Sequence, residues 1–250
     1  MTFAHRSGVA VVAGGSGGLG SAIVRLLVER GAVVTFTYRA NLQAAQALSA
    51  ETGAVATQLD LTDQPAVAAY ADWIAASLGP VHTAVYAAGP HVPMRHLSAV
   101  PVADMADQLH QDVAAFFAFA TALLPALRAS AGSLVAVTTA ATSRVAVRDG
   151  LSSGPKAAVE ALARALAAEE GRYGVRVNCV GPGMLTDGMA QRLIASGDLD
   201  EKALDAAKAN TPLRRFGSAV DIAEAVCFLA SDAAGFVSGQ KLDVDGGYSV

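Results

Sequence analysis

Seven short apolar runs constrain this 250-residue chain more than any other feature of it. They are Val9–Ala13, Val33–Tyr38, Val55–Leu59, Thr83–Ala87, Leu134–Thr138, Val175–Val180 and Lys241–Val244. Most are apolar nearly throughout instead of alternating, which is the pattern of strands buried on both faces. Helical periodicity fills the intervals. Val159, Leu162, Ala163 and Leu166 follow the i, i+3, i+4, i+7 rule, and so do Val113, Phe116, Phe117 and Ala120. Two-sided strands alternating with helices predict an α/β chain, with a doubly wound parallel sheet of about seven strands. No repeat, low-complexity tract or linker interrupts the order, so residues 1–250 read as one domain.

Composition excludes several classes. With 53% hydrophobic and 16% charged residues, the chain has too much apolar mass for a disordered protein. A net charge of −4 offers no basic excess to neutralise phosphates, so nucleic acid is not an expected partner. No unbroken apolar stretch reaches the ~18 residues of a membrane span. The longest candidate, Ala114–Leu127, carries Thr121 and Pro125 and predicts a core helix. His5 and Arg6 precede the apolar run Gly8–Ala13, which is shorter than the ~7–15 residues of a secretion-signal core. A buried first strand and a cytoplasmic location are therefore expected. Cys179 and Cys227 lie in apolar segments and predict reduced core thiols. No metal site is expected.

Directly after the first run comes Gly14-Gly15-Ser16-Gly17-Gly18-Leu19-Gly20, and then a helical stretch, Ser21–Arg30. A glycine turn between strand and helix allows a tight reversal and lets backbone approach a pyrophosphate. The helix start offers free N–H groups and a positive dipole end to the anion. The spacing is G-x-x-x-G-x-G, with no Gly-Lys-Ser/Thr of a P-loop. The second run ends at Thr37-Tyr38-Arg39 with no Asp or Glu nearby. An acidic residue there would bind the ribose hydroxyl of NAD, whereas an arginine suits the 2′-phosphate of NADP. NADP(H) is therefore favoured over NAD(H), the alternative being a solvated surface arginine.

Further motifs run to the C-terminus: Leu59-Asp60-Leu61, Ala87-Ala88-Gly89, Asn178 to Gly183, Asp221-Ile222-Ala223 and Val244-Asp245-Gly246-Gly247. With the glycine turn, they resemble the short-chain dehydrogenase/reductase family over essentially the whole chain. The 3-oxoacyl-acyl-carrier-protein reductase branch is the nearest likeness. The resemblance implies a Rossmann-type fold, a homotetramer and hydride transfer between a nicotinamide and a small-molecule substrate. It implies a dinucleotide held by Gly14, Ser16, Gly18, Leu19 and Gly20, with Arg39 at the ribose. Asp60 and Leu61 would sit beside the adenine, and Ala88 and Gly89 by the ribose. Pro182, Gly183, Leu185 and Thr186 would run along the nicotinamide, and a substrate lid would lie near 186–209.

The catalytic positions depart from that family. It uses Tyr-x-x-x-Lys on one helix, a serine before it and an asparagine one helix earlier. Here Lys156 stands in place, but the tyrosine position is Ser152, the serine position Thr139 and the asparagine position Asp112. Thr139 keeps a hydroxyl. Asp112 either pairs with Lys156 through water or caps a helix. Ser152 is far less acidic than a phenol, whose pKa is about 10. Ser152-Ser153 otherwise reads as a helix N-cap, with Pro155 in the first turn. His91, Thr142, Ser143 and Asp149 are candidate replacement acids. Arg144 and Arg148 either hold an anionic substrate or are solvated. Strict alignment puts Asp187 at a threonine position of the family. Three readings stay open: an NADP(H)-dependent oxidoreductase with an atypical proton relay, a dinucleotide-binding pseudoenzyme, and a non-redox lyase or isomerase.

Overall fold

The computed structural model describes residues 2–90, 92–186 and 201–250. Its strands are β1 (Val9–Ala13), β2 (Val33–Tyr38), β3 (Val55–Gln58), β4 (Val81–Tyr86), β5 (Ser133–Val137), β6 (Arg176–Pro182) and β7 (Lys241–Val244). All pair in parallel in the order β3-β2-β1-β4-β5-β6-β7. The predicted runs coincide with them to within a few residues, because a strand covered on both faces needs apolar side chains on both.

The helices are α1 (Gly18–Glu29), α2 (Leu42–Thr52), α3 (Gln64–Ser77), α4 (Val102–Leu109), α5 (Ala115–Ser130), α6 (Gly150–Glu170), α7 (Glu201–Asn210) and α8 (Ala219–Ala230). Side chains alternate along each strand and so feed two cores. Val9, Val11 and Ala13 of β1 join Tyr70 of α3, Phe116 and Phe119 of α5 and Val159 and Ala163 of α6. Ala10 and Val12 join Ile23 and Leu27 of α1, Leu48 of α2 and Ile222 and Val226 of α8.

A π turn, His110–Ala114, joins α4 to α5. The resulting helical segment, Val102–Ser130, is long and apolar enough to cross a membrane by length and composition. Its Phe116, Phe119, Ala120 and Leu127 are buried in the first core.

Helix α6 corrects one expectation. It starts at Gly150 with Asp149 as N-cap, and no side chain caps it. Ser152 and Ser153 lie inside its first turns, and both donate their amides to the Asp149 carbonyl at 2.9 Å. Neither is the N-cap. Pro155 is interior, beyond the first turn, so it offers no N–H to the carbonyl four residues back. Burial of Leu151, Ser153 and Pro155 against the rest of the fold outweighs the serines' capping preference.

Candidate functional site

β1 pairs with β2 on one side and β4 on the other, so the chain crosses over in opposite directions from β1. The crevice at the carboxyl ends of β1 and β4 is where a doubly wound sheet takes a ligand. Gly14 closes β1 with φ +78°, and a Cβ there would lie 2.8 Å from the Ala88 Cα. A Cβ on Gly20 would run into the Gly14 carbonyl. These two glycines therefore pack the turn against β4 and against itself. Gly17 is the N-cap of α1 and supplies no side-chain acceptor, so the first-turn amides are uncapped. Gly18 is exposed at that start, with Ser16 and Leu19 partly covered. An uncapped helix start behind a glycine cradle fits the pyrophosphate of a dinucleotide.

Arg39 is exposed just past β2, and Nη1 donates to the Gln111 Oε1 at 3.4 Å across the crevice. Asp60 accepts from the Thr62 amide at 2.9 Å and the Thr62 hydroxyl at 2.7 Å. These bonds, with Arg39 nearby, hold its carboxyl below the usual carboxylate range. Leu61 is buried. At the end of β6, Pro182 is buried, and Gly183 donates its amide to the Val244 carbonyl at 3.0 Å. A Cβ on Gly183 would lie 2.6 Å from the Asp245 Cα. The Leu185 side chain packs in the second core, so only its backbone remains to face a nicotinamide. Thr186 is exposed and pairs with Gly217 through its amide at 2.9 Å. His91, Asp187 and most of the expected lid lie outside the described residues.

Lys156 and Asp112, 44 residues apart, meet directly: Nζ to Oδ1 is 2.7 Å. Asp112 neither caps a helix nor needs a bridging water, because the π turn carries it inward to 1% exposure. Lys156 also reaches the Ala88 carbonyl at 3.5 Å, and a Cβ on Gly89 would sit 3.4 Å from Nζ. The pair therefore lies beneath the Ala88-Gly89 edge of the crevice. Ser152 is half-buried one turn before Lys156, and its hydroxyl has no hydrogen-bond partner among the described residues. The Thr139 Oγ1 accepts the Ala141 amide at 3.2 Å, capping a short 3₁₀ turn.

The other candidates are committed or differently placed. Arg144 donates to the Tyr248 carbonyl at 2.8 Å and lies 4.8 Å from that ring's centre. Arg148, in a left-handed conformation with φ +74°, donates to the Met94 carbonyl at 2.9 Å. Each thus ties two segments together through one N–H group, and both residues are exposed. Thr142 donates to the Glu160 Oε1 at 2.9 Å, and Ser143 to the Asp243 Oδ2 at 2.8 Å. Both also accept from Lys241. Asp149 is partly buried, and desolvation pushes its carboxyl up to about 6.

Sequence reasoning missed two neighbours. Gln108 donates its amide to the Asp112 Oδ2 at 3.0 Å. Tyr86 ends β4 and is fully buried, and its hydroxyl donates to the Asp112 main-chain carbonyl at 3.1 Å. Its ring centre lies 5.7 Å from the Lys156 Nζ. Burial, then the Asp112 charge, pushes the phenol upward from its ordinary range. Tyr86 is therefore a buried support for the turn, with its hydroxyl already engaged. The only signal in the sequence was its place two residues before Ala88.

Comparisons with known proteins identify the family and support the fold. The family described as enoyl-(acyl carrier protein) reductase matches residues 13–249. A cis-4-hydroxycyclohexanecarboxylate dehydrogenase of Sinomonas cyclohexanicum is 36% identical, over 99% of this chain and 98% of its own. A 3-oxoacyl-[acyl-carrier-protein] reductase of Bos taurus is 33% identical, over 96% of this chain and 97% of its own. A short-chain dehydrogenase of Burkholderia cenocepacia, solved in complex with NADP, superposes with a TM-score of 0.87 at 28% identity. That match covers 97% of this chain and 98% of the other.

Proposed function

The chain belongs to the short-chain dehydrogenase/reductase family, and from that premise we propose an NADP(H)-dependent oxidoreductase with an atypical proton relay, acting on a carbonyl or an activated double bond of a small molecule. The observation that carries this reading is the 2.7 Å pair of Lys156 and Asp112 at the edge of a crevice shaped for a dinucleotide. The bound cofactor would supply the hydride to the acceptor carbon. Everything else falls to the chain's own residues. The first turn of α1 would hold the pyrophosphate, and Arg39 would leave Gln111 to meet the 2′-phosphate.

The proton for the substrate oxygen must come from an N–H or O–H at this edge. Ser152 is too weak an acid to give up a proton unaided. The Lys156 ammonium gives one, either directly or through the Ser152 hydroxyl, which passes one on and receives one. Lys156 is then reprotonated from solvent water. The Asp112 carboxylate accepts from the Lys156 Nζ and offsets the burial of the cation.

The same premise carries a homotetramer built on Val113–Leu127 and Lys156–Glu169 as a four-helix interface. An open hollow of about 430 Å³ lined by Leu109, His110, Val113, Ala114, Phe117 and Leu162 supports it, with Phe117 half exposed. The buried thiols Cys179 and Cys227, both pushed up to about 12 by desolvation, suit a reducing cytoplasm.

NADPH oxidation with a panel of small ketones and enones tests the reading, alongside NADPH binding followed by fluorescence. Turnover that Lys156→Met abolishes supports it. Binding without turnover of any acceptor makes the protein a dinucleotide-binding pseudoenzyme, the reading favoured by the missing phenol. Failure to bind either dinucleotide sinks both.

A further inference from the structure

We infer that Gln108 is a positioning residue for this site, holding the Asp112 carboxylate in register with Lys156; the inference rests on the proton relay proposed above. Gln108 sits on α4, four residues before Asp112, and only 7% of it is exposed. Its Nε2 donates to Oδ2 at 3.0 Å while Lys156 holds Oδ1 at 2.7 Å. A carboxylate only accepts, so only the NH₂ end of the amide can face it. Each carboxylate oxygen thus has one donor, and the group cannot turn away from Lys156 without leaving an oxygen unsatisfied in a buried place.

The π turn sets this arrangement. It adds a residue to the turn between α4 and α5, and so swings Asp112 inward over Tyr86. Tyr86 secures the main chain through the Asp112 carbonyl at 3.1 Å. Gln108 secures the side chain. Among the described residues, the groups that face Asp112 are Lys156 from α6, the neutral phenol of Tyr86 from β4 and Gln108 from its own segment.

The test uses Gln108→Leu and Gln108→Glu in the full-length protein, with folding checked by circular dichroism. In Gln108→Leu, kcat falls about tenfold, as expected on losing a hydrogen bond to a charged group. KM for the acceptor is little changed, and the acid limb of the kcat profile moves upward, because an ionised carboxylate has lost a donor. Gln108→Glu behaves in the opposite sense. Its protonated form still donates at low pH, and activity is lost as pH rises and two carboxylates face each other. Equal, pH-independent losses in both variants, or no loss, overturn the inference.

A second readout needs no turnover. With ¹³C-carboxyl aspartate and Asp112→Asn for assignment, the Asp112 signal is titrated in wild type and in Gln108→Leu. An upward midpoint in the variant supports the contact, and an unmoved midpoint overturns it. An inactive wild type with a moved midpoint sinks the reductase reading alone, whereas an active one with an unmoved midpoint sinks the Gln108 inference alone.

Discussion

The Lys156 ammonium and the Asp112 carboxylate form an ion pair at 2.7 Å whose side chains are 12% and 1% exposed. Removing one partner from such a pair leaves a buried charge, which typically costs about 3–5 kcal/mol. Lys156→Met strands the more deeply buried group and should destabilise more than Asp112→Asn. The double variant should recover part of the loss. Urea denaturation of the four proteins gives the cycle, and strictly additive losses would show that the pair is not coupled.

The glycine turn contains two kinds of glycine. Gly20→Ala drives a Cβ into the Gly14 carbonyl, backbone against backbone, and should lower the unfolding midpoint. Gly18 is exposed at the start of α1, so Gly18→Val should leave the fold intact and abolish dinucleotide binding. Calorimetric titration of the folded variant with NADPH checks this. Unchanged affinity would place the pyrophosphate elsewhere.

Among the described residues the exposed Arg39 guanidinium has one hydrogen bond, the 3.4 Å contact with Gln111. Arg39→Ala should weaken NADPH by about 1.5–3 kcal/mol and barely change NADH. The ratio of the two dissociation constants is the measurement, and equal losses would remove Arg39 from phosphate recognition.

Ser152 stands one turn before Lys156 within α6, and the pair shares one helix face. Ser152→Tyr should therefore raise the reduction of a small β-keto ester, by bringing a phenol beside an ammonium that favours its ionisation. Ser152→Ala should be nearly silent if the hydroxyl only passes a proton that water can carry. A loss of about 10²–10⁴ in Ser152→Ala would make Ser152 the essential donor.

His82 sets an acid limit on stability. It is buried on β4, its Nε2 has no hydrogen-bond partner among the described residues, and desolvation, then Arg6, lowers its pKa from 6.5 to about 4. The unfolded chain binds the proton more readily, so stability falls as pH drops from about 6.5 towards 4 and then levels off. The full change amounts to about 3 kcal/mol. Urea midpoints at pH 7, 5 and 4 should show it in wild type, and His82→Asn should flatten it. An equally steep decline in the variant would assign the acid loss to other groups.

The sheet and the glycine turn were legible from local pattern. Strands covered on both faces must be apolar on both, and a turn packed against the end of β4 and against itself must be glycine at Gly14 and Gly20. Both requirements are written into consecutive residues, so they can be read without knowing what lies across the fold. The Lys156–Asp112 edge was not legible in this way. Gln108, Asp112 and Lys156 come together because the sheet order places β4 beside β5 and a π turn swings one carboxylate inward. Tyr86 is read locally as a strand residue, yet it supports that turn from 26 positions away. Arg144 and Arg148 look free in sequence, yet each donates to a distant carbonyl, 104 and 54 residues away. Even the start of α6 was misplaced, since serine favours a cap locally and buried packing carries the helix past it. Local backbone preference and two-sided burial leave a mark on neighbouring residues, whereas the partner of a polar side chain is set by which distant segments pack against it.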